Sequence, residues 1–350
     1  MLFRSVVQAT GTGGTSSVRV TGSTSFGDVC TGGTTEKTIS VCNTGSCDLH
    51  VTSAAFSPAC PDFTLVNNPF PATISHDSCL DLTIRFTPTS TGSKSCTLVV
   101  SSDDPTNPTV NISVTANTPS GAIGVAPDQA FPPTVIQSTG ACSSARPFPI
   151  SNTGACTVKV TNVTLSGPNP GDYAFSGLPT LPTVLGPGDV LGSGGFSLLF
   201  KPTAIDRNRL ATISVTYETD PTTGATATIN RALAGEGVNT GVRLLVTQGG
   251  VPVPVVNKIY LKRIKKRQIK PNLVVNDTVT NVPLQSVTPT PPGVPFQFHR
   301  EWGGVSNPVQ LLPTDYQLQV TLKVAGKRVT KTVAFSVGTC DFNPNIVVNF

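Results

Sequence analysis

Short runs in which apolar and polar residues alternate recur along the whole chain. Residues 37–41 (Lys-Thr-Ile-Ser-Val), 82–86 (Leu-Thr-Ile-Arg-Phe) and 212–217 (Thr-Ile-Ser-Val-Thr-Tyr) are examples. A period of two is typical of a half-buried β-strand, and no stretch of ten residues shows convincing helical periodicity. The pattern therefore predicts an all-β protein.

The composition supports the same fold class. The 350 residues include 32 Gly and 31 Pro, and only 12% of the chain is charged. Gly and Pro favour turns, whereas the frequent Val and Thr suit a pleated, half-buried surface. Because domains commonly have roughly 100–150 residues, this length and pattern predict three consecutive β-sandwich domains.

Part of the chain is repeated. Residues 43–51 (Asn-Thr-Gly-Ser-Cys-Asp-Leu-His-Val) match residues 152–160 (Asn-Thr-Gly-Ala-Cys-Thr-Val-Lys-Val), and further matched positions follow in the same order at offsets of 109 to 116 residues. The nearly constant offset indicates two copies of one unit with loop insertions. The further matches pair Asp62 with Asp172, Phe86 with Phe200, and Asp104 with Asp220.

These motifs resemble the hydin-type (ASH, choice-of-anchor D) immunoglobulin-like family. The first copy has Asn-Thr-Gly at 43–45, Phe-Thr-Pro at 86–88 and Asp-Asp-Pro at 103–105, and the second has Thr-Asp-Pro at 219–221. Asn and Gly in the first motif tolerate the positive φ of a tight reversal. The resemblance covers about residues 21–237. It implies immunoglobulin-like sandwiches that serve as spacers or binding modules, and it transfers no catalytic residue.

The last third of the chain differs from the two copies. Alternating runs at 242–246, 255–261, 316–322 and 345–350 predict strands, and Leu-Pro-Thr-Asp-Tyr at 312–316 before a long strand resembles prealbumin-like modules. We expect the terminal run at 345–350 to extend the sheet of a neighbouring molecule. The predicted organisation is an N-terminal extension (1–20), two immunoglobulin-like domains (21–118 and 119–237) and a basic β-sandwich domain (238–350).

Nine cysteines favour an oxidising compartment. Since matched cysteines recur in the two copies, we predict the disulfides Cys30–Cys47 and Cys142–Cys156, with Cys60–Cys79 as a third. The pairing of the other three stays open, and the odd count leaves at least one thiol free or joined to another chain. No Cys-x-x-Cys spacing occurs, so no metal site is predicted. The unassigned cysteines are Cys42, Cys96 and Cys340.

The expected location is extracellular or on the cell surface. The N-terminus lacks a signal-peptide apolar region, and no run approaches the roughly 18 apolar residues of a membrane span. Either a signal is missing from this sequence or release follows another route, such as assembly into a virus particle. Both alternatives remain open.

Charge is distributed unevenly. The formal charge is −3 over residues 1–118, −1 over 119–237 and +9 over 238–350. A basic run in the last region predicts docking to an acidic polysaccharide, an anionic surface or a neighbouring subunit. An equally weighted alternative is a solvated edge strand whose lysines prevent aggregation. No specific nucleic-acid binding is predicted, because aromatic residues are not interleaved. The run contains Lys258, Lys262, Arg263, Lys265, Lys266, Arg267 and Lys270.

No catalytic residue or cofactor is predicted. Ser-His-Asp at 75–77 holds the residue types of a catalytic triad, but adjacent side chains are expected to point apart, and Gly-x-Ser-x-Gly is absent. The favoured function is a non-catalytic structural or adhesive protein of a filament, coat or appendage that associates with itself or with other surface proteins. Two alternatives are a virion decoration or tail protein and a polyanion- or carbohydrate-binding module.

Overall fold

The computed structural model describes residues 13–136, 142–192, 195–264, 278–283, 285–287, 296–302 and 310–350. Their regular structure is β-strand apart from one short 3₁₀ helix at Pro170–Asp172. Buried apolar side chains in these ranges form three large clusters, within residues 18–116, 123–233 and 242–350. We name the strands around them the N-terminal, middle and C-terminal sandwiches. The predicted all-β class with several sandwich domains is confirmed, whereas the domain boundaries stay predictions.

The N-terminal sandwich packs a sheet of order β1-β3-β7-β5 against one of order β2-β9-β8-β4-β6. Neighbouring strands are antiparallel except β2, which runs parallel to β9. The strands are β1 (Val18–Thr21), β2 (Ser25–Asp28), β3 (Thr35–Asn43), β4 (Leu49–Phe56), β5 (Phe63–Asn67), β6 (Ala72–Ile74), β7 (Cys79–Phe86), β8 (Gly92–Ser102) and β9 (Thr109–Thr118).

The middle sandwich repeats this arrangement. One sheet has the order β11-β20-β19-β15-β17, with β12 also on β20; the other has the order β13-β18-β16, and β10 pairs with β14. The strands are β10 (Ile123–Val125), β11 (Gln129–Ala130), β12 (Thr134–Val135), β13 (Ser144–Phe148), β14 (Ile150–Asn152), β15 (Val158–Ser166), β16 (Tyr173–Ser176), β17 (Thr183–Leu185), β18 (Phe196–Phe200), β19 (Asp206–Asp220) and β20 (Ala225–Val238).

The C-terminal sandwich has one sheet of order β22-β21-β27, with β30 parallel to β21, and another of order β24-β23-β28-β29. A separate hairpin joins β25 and β26. The strands are β21 (Gly241–Gln248), β22 (Val251–Pro252), β23 (Val255–Ile264), β24 (Val279–Pro283), β25 (Gln285–Val287), β26 (Phe296–Phe298), β27 (Arg300–Trp302), β28 (Thr314–Val324), β29 (Lys327–Val337) and β30 (Phe342–Asn349).

A buried asparagine fixes the same turn in the first two sandwiches. The Nδ2 of Asn43 donates to the carbonyls of Cys47 and Ile74 at 2.7 and 2.9 Å, and its Oδ1 accepts the Gly45 N–H at 2.9 Å. Asn152 makes the three equivalent bonds at 2.8 to 3.0 Å. Buried polar atoms cost free energy unless they are hydrogen-bonded, so this side chain both needs and stabilises the turn.

The reason given above for the glycine of this turn is wrong. Gly45 does not have a positive φ; instead, a Cβ built on it would lie 2.2 Å from the Thr15 carbonyl oxygen. The glycine is required because the chain that enters the sandwich crosses the turn at very short range.

A buried aspartate fixes a second repeated loop. Asp62 Oδ1 accepts the N–H and the hydroxyl of Thr89 at 2.8 and 2.6 Å, and Asp172 accepts the same two groups of Thr203 at 3.0 and 2.7 Å. Burial acts to raise the pKa of Asp62, but these bonds and Lys94 outweigh it and the pKa lies below its ordinary value. Burial also acts to raise the pKa of Asp172, but the hydrogen bonds from Arg209 and Thr203 outweigh it and the pKa is lowered.

The predicted disulfides Cys30–Cys47 and Cys142–Cys156 are wrong. Cys30 is bonded to Cys156 and Cys142 to Cys340, so each bridge connects one sandwich with the next. Cys47 is an exposed free thiol. Matched positions in two copies do not show whether a cysteine's partner lies in that unit or in its neighbour, or whether both matched cysteines are paired at all.

The predicted disulfide Cys60–Cys79 is also wrong. Cys79 lies directly opposite Cys42 in the β3–β7 pair, with the two Cα atoms 4.0 Å apart, and these two are bonded. Cys60 is bonded to Cys96 of β8 and so connects the loop before β5 to the opposite sheet. The strand register decides these pairings, and sequence spacing did not reveal it.

The role predicted for the terminal run at 345–350 stays a prediction. Residues 345–349 belong to β30, Phe350 follows it, and β30 pairs with β21 inside the same sandwich. Ile346 and Val348 are buried in the C-terminal core. The segment is therefore part of its own sandwich, and among the described residues β21 is its one ladder partner, so its other edge is not paired.

Replacing Asn43 with alanine should lower the free energy of unfolding by about 1–3 kcal/mol, because two buried carbonyls and one N–H lose their partner. Urea unfolding followed by circular dichroism measures the change. Thr44→Ala, which alters an exposed neighbour in the same turn, is the control and should change stability little. Equal losses for the two variants would contradict the role assigned to the amide.

Candidate functional site

The junction between the N-terminal and middle sandwiches is closed by covalent and polar contacts. Cys30 and Cys156 are bonded with their Cα atoms 5.5 Å apart. The loop between β7 and β8 also contacts the turn after β19. Asp220 Oδ2 accepts the N–H of Thr91 at 3.2 Å, and the Thr222 hydroxyl donates to the Thr89 carbonyl at 2.9 Å. Contacts at separate points resist rotation of one sandwich against the other.

The junction between the middle and C-terminal sandwiches is shorter and more buried. Only Asn239 and Thr240 separate β20 from β21. The Cys142–Cys340 disulfide spans the junction, with Cα atoms 5.4 Å apart. Val135, Val238 and Phe342 form a small apolar cluster around Cys142.

A buried ionic cluster lies beside this disulfide. The Nη2 of Arg243 is 2.7 Å from Glu236 Oε1 in the middle sandwich, and its Nε is 2.9 Å from Glu301 Oε2 on β27. Both carboxylates have 0% exposure, and the guanidinium carbon lies 4.6 Å from the ring centre of Phe342. Arg243 therefore connects the two sandwiches through its ion pair with Glu236, and it packs on Phe342 of its own sandwich by cation–π contact.

Burial raises the pKa of Glu236 above its ordinary value, although the charge and hydrogen bond of Arg243 act against the shift. For Glu236, the charges of Arg243 and Arg207 together do not fully offset the cost of burial. The arrangement is a structural link between the two sandwiches in which both carboxylates contact Arg243.

The histidines do not form a metal centre. His299 is fully buried, where its Nδ1 accepts the Val246 N–H and its Nε2 faces the Val253 carbonyl at 2.6 Å. Burial lowers the pKa of His299. Among the described residues, no group of three or more His, Cys, Asp and Glu is placed to hold a metal ion.

The Ser75-His76-Asp77 segment forms an exposed turn. Contrary to the expectation that adjacent side chains point apart, His76 Nε2 lies 3.1 Å from Asp77 Oδ2. The contact is solvated, with side-chain exposures of 57% and 76%. It forms no enclosed pocket for a substrate.

The structure divides the predicted basic run between the two faces of a sheet. Lys258 and Lys262 of β23 lie on the outer face, whereas Arg263 lies on the inner face opposite Tyr316. The split follows from the period of two along a strand. Lys265, Lys266, Arg267 and Lys270 lie outside the described residues.

Two cations absent from the sequence prediction join the outer face. Lys323 of β28 pairs with Arg328 of β29, and both are exposed. The sequence separates them from the basic run by some sixty residues, so only the strand order could bring them together. We name this surface the basic face: Lys258, Tyr260, Lys262, Gln317, Gln319, Thr321, Lys323, Arg328 and Thr330.

No helix in the described ranges is long and apolar enough to cross a membrane.

Residues 18–117 match the family model described as HYDIN/CFA65/VesB-like, Ig-like domain. The match covers the N-terminal sandwich and agrees with the resemblance noted from its motifs. The family membership of the middle sandwich and the prealbumin-like character of the C-terminal one stay predictions. A comparison with curated proteins gives no match.

The solved structures that match this chain share little sequence with it. A protein of unknown function from Porphyromonas gingivalis W83 is 14% identical, with 63% of this chain and 99% of that chain covered and a TM-score of 0.25. The secreted serine protease VesC from Vibrio cholerae is 11% identical, with 61% and 49% covered and a TM-score of 0.27. The I9–I11 tandem from titin is 9% identical, with 95% and 100% covered and a TM-score of 0.31.

Arg243→Met should lower the free energy of unfolding of the C-terminal sandwich by about 3–5 kcal/mol, because it removes the cation that both buried carboxylates contact. Glu236→Gln should lower the free energy of unfolding much less. The amide oxygen still accepts a hydrogen bond from Arg243, and the variant no longer has to bury the negative charge of Glu236. Urea unfolding followed by the fluorescence of Trp302, the only tryptophan, measures both. A larger loss for Glu236→Gln would contradict this account of the cluster.

Asp220 gives the first junction a defined acid sensitivity. Hydrogen bonds led by the Thr222 hydroxyl, working against burial, lower the pKa of Asp220 to about 2. Because the folded pKa is depressed, its stabilisation is complete above the unfolded pKa and lost as pH falls through about 4 to 2. The stability difference between the protein and Asp220→Asn should shrink over that window. A difference independent of pH would exclude the ionised form as its cause.

Proposed function

We propose that this protein is a non-catalytic structural component of an extracellular or surface assembly, in which consecutive sandwiches form a rigid spacer. One observation carries the proposal: a disulfide closes each of the two junctions, Cys30–Cys156 and Cys142–Cys340. Neighbouring domains of one chain normally move relative to each other unless their interface is large. A bridge at each junction restricts that motion.

The noncovalent contacts support the same role. The first junction has Asp220 and Thr222 on one side and the loop at Thr89 and Thr91 on the other. The second has a two-residue connection and the buried Arg243 cluster. A chain whose sandwiches work independently has no need for such contacts at both junctions.

The disulfides also support the proposed location. Eight cysteines are paired in the structure, and disulfides persist in secreted and surface proteins rather than in reducing cytosol. The family match of the N-terminal sandwich points to a non-enzymatic fold. Partners in this proposal are other surface proteins or further copies of the chain, held at a set distance by the spacer.

The spacer role predicts narrow interdomain angles that widen when a junction bridge is removed. In a Cys47→Ser background, which prevents thiol exchange, Cys30→Ser with Cys156→Ser should broaden the distribution of bend angles seen by single-particle electron microscopy. Cys42→Ser with Cys79→Ser removes a bridge within one sandwich and is the matched control. It should leave the angles unchanged.

A broad distribution of angles in the unmodified protein would reject a rigid spacer. Equal broadening in the control would show that general destabilisation, rather than the junction bridge, had changed the angles.

A further inference from the structure

The basic face is an open sheet surface of the C-terminal sandwich. Its residues come from β23, β28 and β29, whose cross-strand pairs include Lys258 with Thr321 and Tyr260 with Gln319. The opposite side of the same strands is buried in the core, where Leu261, Leu318 and Val320 have 0% exposure. The sheet therefore exposes one face to solvent, while its other face packs on the core and keeps the strands in place.

The charge on this face is concentrated and of one sign. Lys323 and Arg328 form one row, Lys258 lies in the next, and Lys262 lies two rows further along. At about 3.3 Å per residue, these four cations extend over roughly 20 Å. Among the described residues, none of the four forms an ion pair with a carboxylate.

The only described carboxylate on this side of the three strands is Asp315, at the far end of β28, where it accepts a hydrogen bond from Ser336 at 2.6 Å. The cations are therefore left available for an external anion.

Neutral hydrogen-bonding groups fill the space between the cations. A shallow depression of about 320 Å³ is lined by Lys258, Tyr260, Gln319, Thr321 and Thr330. The hydroxyls of Thr321 and Thr330 lie 2.8 Å apart, one bonded to the other. These amide, hydroxyl and phenol groups can both donate hydrogen bonds to and accept them from a ligand rich in hydroxyls.

We propose that the basic face binds a linear anionic polysaccharide, with carboxylate or sulfate groups on the cations and sugar hydroxyls on the Thr and Gln side chains. Tyr260 supplies an apolar ring against which a sugar ring packs. Single-stranded nucleic acid is a poorer fit, because its binding sites stack successive bases on several aromatic side chains, and this face has one. Attachment to a lipid surface by cations alone is weak, and this face has no apolar element that inserts between headgroups.

This binding does not depend on the spacer role. A chain with flexible junctions would still carry the face, and a rigid chain could lack affinity for any polyanion. The two proposals therefore fail separately.

Binding of the full chain to heparin, measured by calorimetry at several salt concentrations, tests the proposal. Lys258→Gln with Lys262→Gln should weaken binding roughly tenfold near 0.1 M salt and reduce the salt slope by about two, since two ionic contacts are lost. Arg19→Gln with Lys37→Gln removes the same charge from the N-terminal sandwich and should leave the affinity unchanged. Tyr260→Ala should weaken binding without changing the slope.

Three results would overturn the proposal. Equal weakening by the two double variants would show attraction to net charge alone. If single-stranded DNA or anionic phospholipid vesicles bind as tightly as heparin does, the polysaccharide assignment is excluded. No binding of heparin or polygalacturonate above that of neutral dextran would exclude the site.

Discussion

Each sandwich depends on the need of buried polar groups for hydrogen-bond partners. Asn152 has 2% exposure and satisfies three backbone groups of its turn. That turn ends at Cys156, whose sulfur reaches Cys30 of the preceding sandwich. The polar requirement inside one unit thus determines where the link between units forms. The turn positions the cysteine that closes the first junction, although the matched turn ends at Cys47, which is free.

The fold was largely predictable because one period governs it. Alternation along a strand decides which side chains enter the core, and Phe86 and Phe200, matched in the repeats, both lie there with 0% exposure. The repeated Asn, Asp and Cys positions were also visible. The hydrogen bonds of the repeated Asn and Asp recur in the structure, so these repeats reported true equivalence even where the reason given for a residue was wrong, as at Gly45. The matched Cys47 and Cys156 are not equivalent, because one is free and the other is bonded.

Pairings across distance were not predictable. A disulfide depends on which strands are neighbours and in which register, and neither Cys42–Cys79 nor Cys142–Cys340 has a signature in spacing. The basic run misled for a related reason. Consecutive charges on a strand point to opposite faces, so Arg263 leaves the surface that Lys262 occupies, while Lys323 and Arg328 enter it from other strands.

The connection of Asn239 and Thr240 has a geometric consequence. Two residues reach at most about 7 Å, and Thr240 is itself buried, with its hydroxyl donating to the Leu311 carbonyl at 2.6 Å. This short connection therefore restricts how the C-terminal sandwich is rotated about the axis of β20. Its length therefore affects the direction in which the basic face points, because one added residue would rotate that face relative to the other two sandwiches.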